Sequence, residues 1–194
     1  MSTDTSVRGW NTRYSEESDL WLGKSPRRML INAAELLPKG GLALDAAAGV
    51  GINSIFMVEH GLRVVAMDFS EVALRLAVAH ARERSLFLQA AVCDLALLKL
   101  PRQTFDVIGN FFFLERETLP VYHHALKSGG LLFFETLLKT DASISYPEHY
   151  LERGELRSAF ADFDVLHWEE AVDCGDNRFT EQMIARKPLQ EHLG

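Results

Sequence analysis

Ten consecutive residues, Leu44-Asp45-Ala46-Ala47-Ala48-Gly49-Val50-Gly51-Ile52-Asn53, hold most of the chemical promise of this chain. Small side chains where an apolar strand gives way to a helix let the backbone approach a ligand closely, at the carboxyl edge of a sheet. Two further acids stand at comparable places. Asp68 closes the apolar run from Arg63, and a carboxylate there can accept hydrogen bonds from both hydroxyls of a ribose. Asp94 follows Cys93 at the end of a third run; it can accept a hydrogen bond from an adenine amino group, with Leu95 beside the ring. Each feature alone has a plain structural explanation: a tight turn, a carboxylate serving a helix dipole, a solvated loop acid. At three successive strand ends they converge on one sheet edge, and that convergence points to an adenosine-type cofactor.

These residues need a frame that presents strand ends on one side. Leu42 to Asp45, Arg63 to Asp68, Leu86 to Val92, Phe105 to Phe111 and Leu131 to Leu137 read as buried strands. Helices are expected over Arg27 to Leu37, Asn53 to Glu59, from an N-cap at Ser70 to about Arg84, and over Thr118 to Leu126. In the third of these, Val72, Leu74, Leu76 and Val78 are available to pack. Strand and helix alternating at this spacing predict a mostly parallel sheet covered on both faces. The tail differs. After a helix near His149 to Phe160, two strand-like runs, Val165 to Val172 and Arg178 to Arg186, are separated only by Asp173-Cys174-Gly175-Asp176-Asn177. That connection is too short for a crossover, so the last two strands should form an antiparallel hairpin. The expected fold is α/β: a Rossmann-like three-layer sandwich with a seven-stranded, mostly parallel sheet ending in an antiparallel hairpin, in one domain over residues 1–194.

Composition narrows the partners. The 194 residues suit one domain, and 47% hydrophobic with 24% charged residues supplies a core. A formal net charge of −7 without a basic run disfavours nucleic acid and anionic membranes. Met1-Ser2-Thr3-Asp4 lacks the basic and apolar leader of a secretory signal, and no apolar stretch reaches the ~18 residues of a spanning helix. Cys93 and Cys174 lie far apart with no CxxC, which suits a reduced, cytoplasmic compartment. His123 and His124 are adjacent on a helix and point apart, and no HExxH or Cys/His cluster exists, so no metal is expected. The expected partner is a small molecule, acting on a monomer or homodimer.

The chain resembles the class I S-adenosylmethionine-dependent methyltransferases from about Trp10 to Arg186. The resemblance is carried by Leu44-Asp45-x-x-x-Gly49-x-Gly51, the Asp68 and Cys93-Asp94 strand ends, Phe105-Asp106-Val107-Ile108, and Leu126-Lys127-Ser128-Gly129-Gly130-Leu131-Leu132, where Ser128 replaces the family's usual proline. It implies S-adenosyl-L-methionine as cofactor, held by Arg13, Trp21, Asp45, Ala46, Ala47, Gly49, Asn53, Asp68, Phe69, Ser70, Cys93, Asp94, Leu95 and Asn110. The family's first loop glycine is Ala47 here, which is tolerable if its φ is negative. In the suspected subgroup an arginine often precedes the asparagine, where this chain has Ile52. A nicotinamide-dependent oxidoreductase is the less favoured alternative: a GxGxxG frame on Gly49 fails at Ser54 and leaves Asp45 without a role. A non-catalytic S-adenosylmethionine-binding regulatory module would use the same residues and stays open.

Trp10-Asn11-Thr12-Arg13-Tyr14, then Leu20-Trp21-Leu22-Gly23-Lys24-Ser25-Pro26, resembles the opening of tellurite-resistance-type and thiopurine-type small-molecule methyltransferases. This implies an N-terminal arm, residues 1–26, folded over the cofactor, with Trp10, Tyr14 and Trp21 excluding water and Arg13 meeting the methionine carboxylate; the aromatics would equally serve to anchor the arm. On the acceptor side, Asn110 and Phe111 to Phe113 end the fourth strand. Arg116 follows in a Leu-x-Arg element that could hold an anionic acceptor or cap a carbonyl. Residues 140–152, with Tyr146, His149 and Tyr150, read as an acceptor-site cover or a plain surface loop. Asn110, Arg116 and His149 are the candidate catalytic residues. The expected activity is methyl transfer to a small molecule with a soft sulfur, selenium or tellurium nucleophile, because no Lys/Asp or His/Asp base pair is evident and such a nucleophile needs only positioning and exclusion of water. A phenol would want a base, for which His149 is the candidate.

Overall fold

The computed structural model describes residues 5–140, 146–172 and 178–189. Met1 to Asp4, part of the 140–152 stretch, and the Asp173 to Asn177 connection with Cys174 lie outside them. The apolar runs become strands β1 (Leu42–Ala46), β2 (Arg63–Asp68), β3 (Gln89–Val92), β4 (Phe105–Phe111), β5 (Leu126–Leu137), β6 (Asp164–Val172) and β7 (Phe179–Arg186). They form one seven-stranded sheet in the order β3-β2-β1-β4-β5-β7-β6. The β1–β2, β2–β3 and β4–β5 pairs are parallel, and the β5–β7 and β6–β7 pairs antiparallel. The expected parallel sheet finishing in an antiparallel hairpin is thus what the chain builds. The chain divides into two compact units, residues 1–97 and 98–194.

In the first unit the N-terminal arm is helical, as α1 (Val7–Glu16) and α2 (Ser18–Leu22), followed by α3 (Arg28–Asn32), α4 (Ile52–Glu59) and α5 (Glu71–Glu83). The helix expected over Arg27 to Leu37 breaks at Ala33 and continues only as a 3₁₀ turn, Ala34–Leu36. α5 begins as its sequence dictates: the Ser70 hydroxyl accepts from the Ala73 N–H at 3.1 Å, with Glu71 in the first turn. Its inward face is Ala73, Leu74, Ala77 and Ala81, not the Val72, Leu74, Leu76, Val78 set. Three alanines one turn apart let the helix lie close to its neighbours. Val72 and Leu76 instead join Trp10, Trp21, Leu22 and Ile52 around Tyr14, Val50 and Ala73. α5 therefore carries two apolar stripes, and the second receives the arm. β3 is shorter than expected because the Leu86 N–H bonds back to the Ala81 carbonyl at 2.9 Å, ending α5 rather than opening a ladder.

In the second unit the Lys127 to Gly130 turn is folded into β5 itself. The β4–β5 register jumps from Phe105↔Leu126 to Val107↔Leu131, which leaves the turn residues bulged out. Lys127 Nζ spans the carboxylate of Asp106 at 2.8 and 2.9 Å, and Gly129 and Gly130 exchange backbone bonds with Lys187 after β7. α6 (Thr118–Ala125) sits between β4 and β5 in sequence. The single helix expected near His149 to Phe160 is instead a 3₁₀ turn, Pro147–His149, an extended Leu151 and α7 (Glu155–Ala159). Leu151 is held extended by two backbone bonds, its N–H to Leu137 at 2.8 Å and its carbonyl from Lys139 at 2.9 Å. β6 is the outer strand and is bulged between Val165 and His167. Among the described residues no helix is long and apolar enough to cross a membrane.

Gly51 opens α4 at φ +73, and a Cβ placed on it would stand 2.7 Å from the Ala77 Cβ on α5. Gly51→Ala should cost about 2–4 kcal/mol, from left-handed backbone strain plus a clash between two backbones that cannot retreat. The check is a lower denaturation midpoint with an unchanged slope; a variant as stable as the parent would mean the α4–α5 approach is not close-packed.

Candidate functional site

Asp45, at the end of β1, is buried. Its Oδ2 accepts from the Ser54 hydroxyl at 2.5 Å, while its Oδ1 has no hydrogen-bond partner among the described residues. Burial pushes its carboxyl up to about 7 against the opposing Ser54 bond. Beyond β1 the chain turns through Ala47 at φ 55, Gly49 at φ 53 and Gly51 at φ 73. The expected negative φ at Ala47 is therefore corrected: a residue with a Cβ occupies the left-handed region, at a cost of roughly 1–2 kcal/mol. The turn closes because it is tied at several points. Ala48 N–H bonds to the Met67 carbonyl at 2.9 Å, Gly51 N–H to the Ala48 carbonyl at 2.9 Å, and Gly49 N–H to Asp68 Oδ2 at 2.8 Å.

Asp68 ends β2, also buried, and its Oδ1 accepts from the Ser70 N–H at 2.8 Å. One carboxylate thus bridges the turn after β1 and the cap of α5 and keeps acceptor capacity beyond these two bonds. Burial raises its pKa, opposed by bonds from the backbone of Ser70, Gly49 and Phe69. The third strand end lies beside it: Cys93 N–H donates to the Asp68 carbonyl at 3.0 Å, and burial raises the half-buried Cys93 thiol. Asp94 is exposed and accepts from the Ala96 N–H at 3.0 Å, with Leu95 buried next to it. Ala46 is buried in β1 and Phe69 half-buried after β2.

The arm closes over this turn. A Cβ on Gly49 would lie 2.8 Å from the Tyr14 hydroxyl, so the packing of the phenol as well as the positive backbone angle favours glycine there. Burial, then the charge of Asp68, pushes the Tyr14 phenol upward. The Trp10 and Trp21 rings stand 5.5 and 5.1 Å from that of Tyr14. Arg13 lies 4.3 Å over Trp10 and Lys24 3.6 Å over Trp21, whose Nε1 donates to Glu17 at 3.2 Å. Asn53 Oδ1 accepts from the Arg27 N–H at 2.9 Å and fastens the chain where the arm ends. Two residues carry roles that no motif announces. Ser54, one turn into α4, serves Asp45. Asn11 accepts from the Ser70 hydroxyl at 2.6 Å. Asn11 and Tyr14 stand three apart on one helix face, a signal hidden by the polar composition of α1.

In the second unit the catalytic candidates are occupied. Asn110 is fully buried; its Nδ2 donates to the Phe113 carbonyl at 2.7 Å and its Oδ1 accepts from Tyr122 at 3.1 Å. Phe111 is buried and Phe112 takes φ 60 in the same turn. Arg116 grips Glu155 with two bonds, at 2.6 and 2.9 Å, and donates to the carbonyls of Glu148 at 2.9 Å and Tyr150 at 3.1 Å. Its guanidinium staples residues 148–155 to the start of α6, so holding an anion would mean releasing Glu155. His149 is exposed, its ring 6.2 Å from that of Tyr146. Arg116 and the backbone flanking His149 are brought together; Asn110 belongs to a separate network.

A family profile described as "Methyltransferase domain" matches residues 43–130. A ubiquinone biosynthesis O-methyltransferase of Coxiella burnetii is 30% identical over 118 residues, 58% of this chain and 50% of that protein. A glycine/sarcosine N-methyltransferase of Parasynechococcus marenigrum is 31% identical over 190 residues, 81% of this chain and 63% of that protein. The crystal structure of TehB from Haemophilus influenzae superposes with a TM-score of 0.74 at 20% identity, covering 92% of this chain and 67% of that one, and shows the same fold. The chain spans about half the length of the first curated relatives it matches.

Asp45 makes a pH prediction. Its folded value near 7 lies above the unfolded 3.8, so its contribution to stability is full below pH 3.8 and is lost as pH rises to 7. Over that window the ligand-free protein should lose stability on the order of 4 kcal/mol through this group. Asp45→Asn should flatten that slope in denaturation series taken every half pH unit; an unchanged slope would assign it to other groups.

Proposed function

We propose that this chain is a class I S-adenosylmethionine-dependent methyltransferase and transfers a methyl group from S-adenosyl-L-methionine to a small-molecule acceptor, a reading supported by the matched methyltransferase profile and the methyltransferase relatives. The observation that carries the reading is the Asp68 carboxylate, buried at a strand end beside a turn in left-handed backbone. The residues present fit the cofactor. Asp68, after accepting from the backbone of Gly49, Ser70 and Phe69, keeps acceptor capacity for a ribose hydroxyl. The orphaned Oδ1 of Asp45 suits an ammonium, which would hold that carboxylate ionised. Asp94 and Leu95 suit an adenine, Arg13 a carboxylate, and Trp10, Tyr14 and Trp21 exclude water. The sulfonium supplies an already activated methyl group, so the protein's share of the work is positioning.

On this reading residues 1–194 act as one domain in the cytoplasm, as monomer or homodimer, with 1–26 as the arm over the cofactor and 140–152 covering the acceptor. Asn110 and Arg116 shape the acceptor side through the Phe113 turn and the 148–155 stretch rather than by acid–base chemistry. A soft sulfur, selenium or tellurium nucleophile fits that shortage of a base. An oxygen or nitrogen acceptor is the second reading, favoured by the relatives named for ubiquinone biosynthesis and for glycine/sarcosine; it would call on His149.

Calorimetric titration should show S-adenosylmethionine and S-adenosylhomocysteine binding, and ligand at 100 times its dissociation constant should add about 2.7 kcal/mol of stability. Binding of NAD in place of both would overturn the assignment. Asp68→Ala should weaken binding roughly ten- to a hundredfold with the fold intact; unchanged affinity would reduce Asp68 to a helix-capping role. Radiolabelled methyl transfer to a panel of thiols, selenite, tellurite, phenols and amines identifies the acceptor. Transfer only to a tRNA mixture or protein lysate contradicts the small-molecule reading, and cofactor binding without transfer to any acceptor leaves a regulatory module.

A further inference from the structure

The arm meets the rest of its unit through an apolar contact. Tyr14, Trp10, Trp21 and Leu22 lie against Val50, Ala73, Val72 and Leu76. Such a surface is favourable in many registers, because burial of apolar area has no direction. One polar pair is set into it. The Ser70 hydroxyl, fully buried, donates its single proton to Asn11 Oδ1 at 2.6 Å and accepts from the Ala73 N–H at 3.1 Å. The same Ser70 donates its backbone N–H to Asp68 Oδ1 at 2.8 Å, and the other oxygen of Asp68 holds Gly49 N–H, under the Tyr14 phenol. Asn11 and Tyr14, three apart on α1, therefore touch the two groups that clasp Asp68. If α1 turned about its axis or slid by a residue, Asn11 would leave Ser70, and a buried hydroxyl would lose its acceptor.

We infer that Asn11 is a positioning residue that fixes the register of the N-terminal arm through Ser70 and thereby couples arm docking to the Asp68 seat. The inference rests on the cofactor reading above for what Asp68 holds, but not for the docking itself. The apolar contact supplies attraction; the Asn11–Ser70 bond selects the orientation in which Tyr14 lies over the turn after β1. A hydroxyl is required at position 70, so threonine should serve there and alanine should not.

The test compares the full-length parent with Asn11→Ala, Ser70→Ala, Ser70→Thr and the two combinations with Asn11→Ala. Limited trypsin digestion reads release of the arm at Arg8 and Arg13 without ligand. Titration with S-adenosylhomocysteine reads the Asp68 seat, and thermal unfolding reads the remainder of the protein. Asn11→Ala should speed arm cleavage several-fold and weaken S-adenosylhomocysteine about tenfold, with the unfolding temperature nearly unchanged. The same effects should appear in the Ser70→Thr background and vanish in the Ser70→Ala background. Parent-like cleavage and affinity in Asn11→Ala, or an undiminished effect in the Ser70→Ala background, would overturn the inference. Failure of the parent itself to bind S-adenosylhomocysteine would overturn the cofactor reading instead, while the cleavage comparison still decides whether Asn11 docks the arm.

Discussion

A single carboxylate organises the first unit. Asp68 receives the N–H groups of Gly49 and Ser70, both at 2.8 Å, and so joins the turn that leaves β1 to the cap that starts α5. Geometry elsewhere follows from that demand. The turn that presents the Gly49 N–H to Asp68 runs through left-handed backbone at Ala47, Gly49 and Gly51. The strain at Ala47 is of the order of 1–2 kcal/mol, which two hydrogen bonds to a charged acceptor can offset at about 1.5–3 kcal/mol each. Burial raises the pKa of Asp68 against these bonds. A carboxylate held at such expense, with lone pairs remaining, suits a group that brings its own donors.

The second unit spends its polar residues differently. Arg116 engages Glu155 and two backbone carbonyls, Asn110 bridges Phe113 and Tyr122, and Lys187 donates to the carbonyls of His123 at 2.6 Å and Leu126 at 2.9 Å. These are the bonds of an irregular chain that would otherwise leave backbone groups unsatisfied. Residues 147–155 have no long helix to supply internal pairing, so a guanidinium with its forked donors does so. Polar side chains near a strand end are thus ambiguous from their type alone. They advertise chemistry, but loops that carry no regular ladder compete for the same donors.

Strand existence and direction were legible in the sequence because the apolar runs at Leu42, Arg63, Phe105 and Leu131 alternate with helical segments and are bounded by glycine, proline or acid. The hairpin of β6 and β7 was legible from loop length. What escaped was set by contacts between distant residues. The α5 face was misread because Val72 and Leu76 are apolar for the sake of the arm, while the alanines pack inward. The Leu86 end of β3 was lost to a backbone bond that terminates α5. Of the site, the acids at β1, β2 and β3 were visible as types at spacings. The pairing of Ser54 with Asp45 and of Asn11 with Ser70 was not, since side-chain hydrogen bonds between elements leave no period in a sequence. The left-handed Ala47 was invisible for a related reason: alanine ordinarily avoids that region, and the bonds that tie the turn, Ala48 to Met67 and Gly49 to Asp68, join residues distant in sequence.

The outer strand of the sheet has a bearing on how the molecule behaves in a crowded solution. β6 is nine residues long and leaves Val165, Leu166, Trp168 and Val172 substantially exposed. A straight strand of that composition would offer its free backbone groups as a template for another chain, the usual route to sheet-mediated aggregation. The bulge between Val165 and His167 interrupts the even spacing of those groups, and charged side chains punctuate the same strand, Glu170 paired with Arg153 at 3.1 Å and Arg157 lying over Trp168. An approaching strand would meet a broken ladder and charged side chains at once. The irregularity of one strand thus bears on the whole border of the sheet: without the extra residue, the same apolar side chains would line an evenly spaced row of free backbone groups.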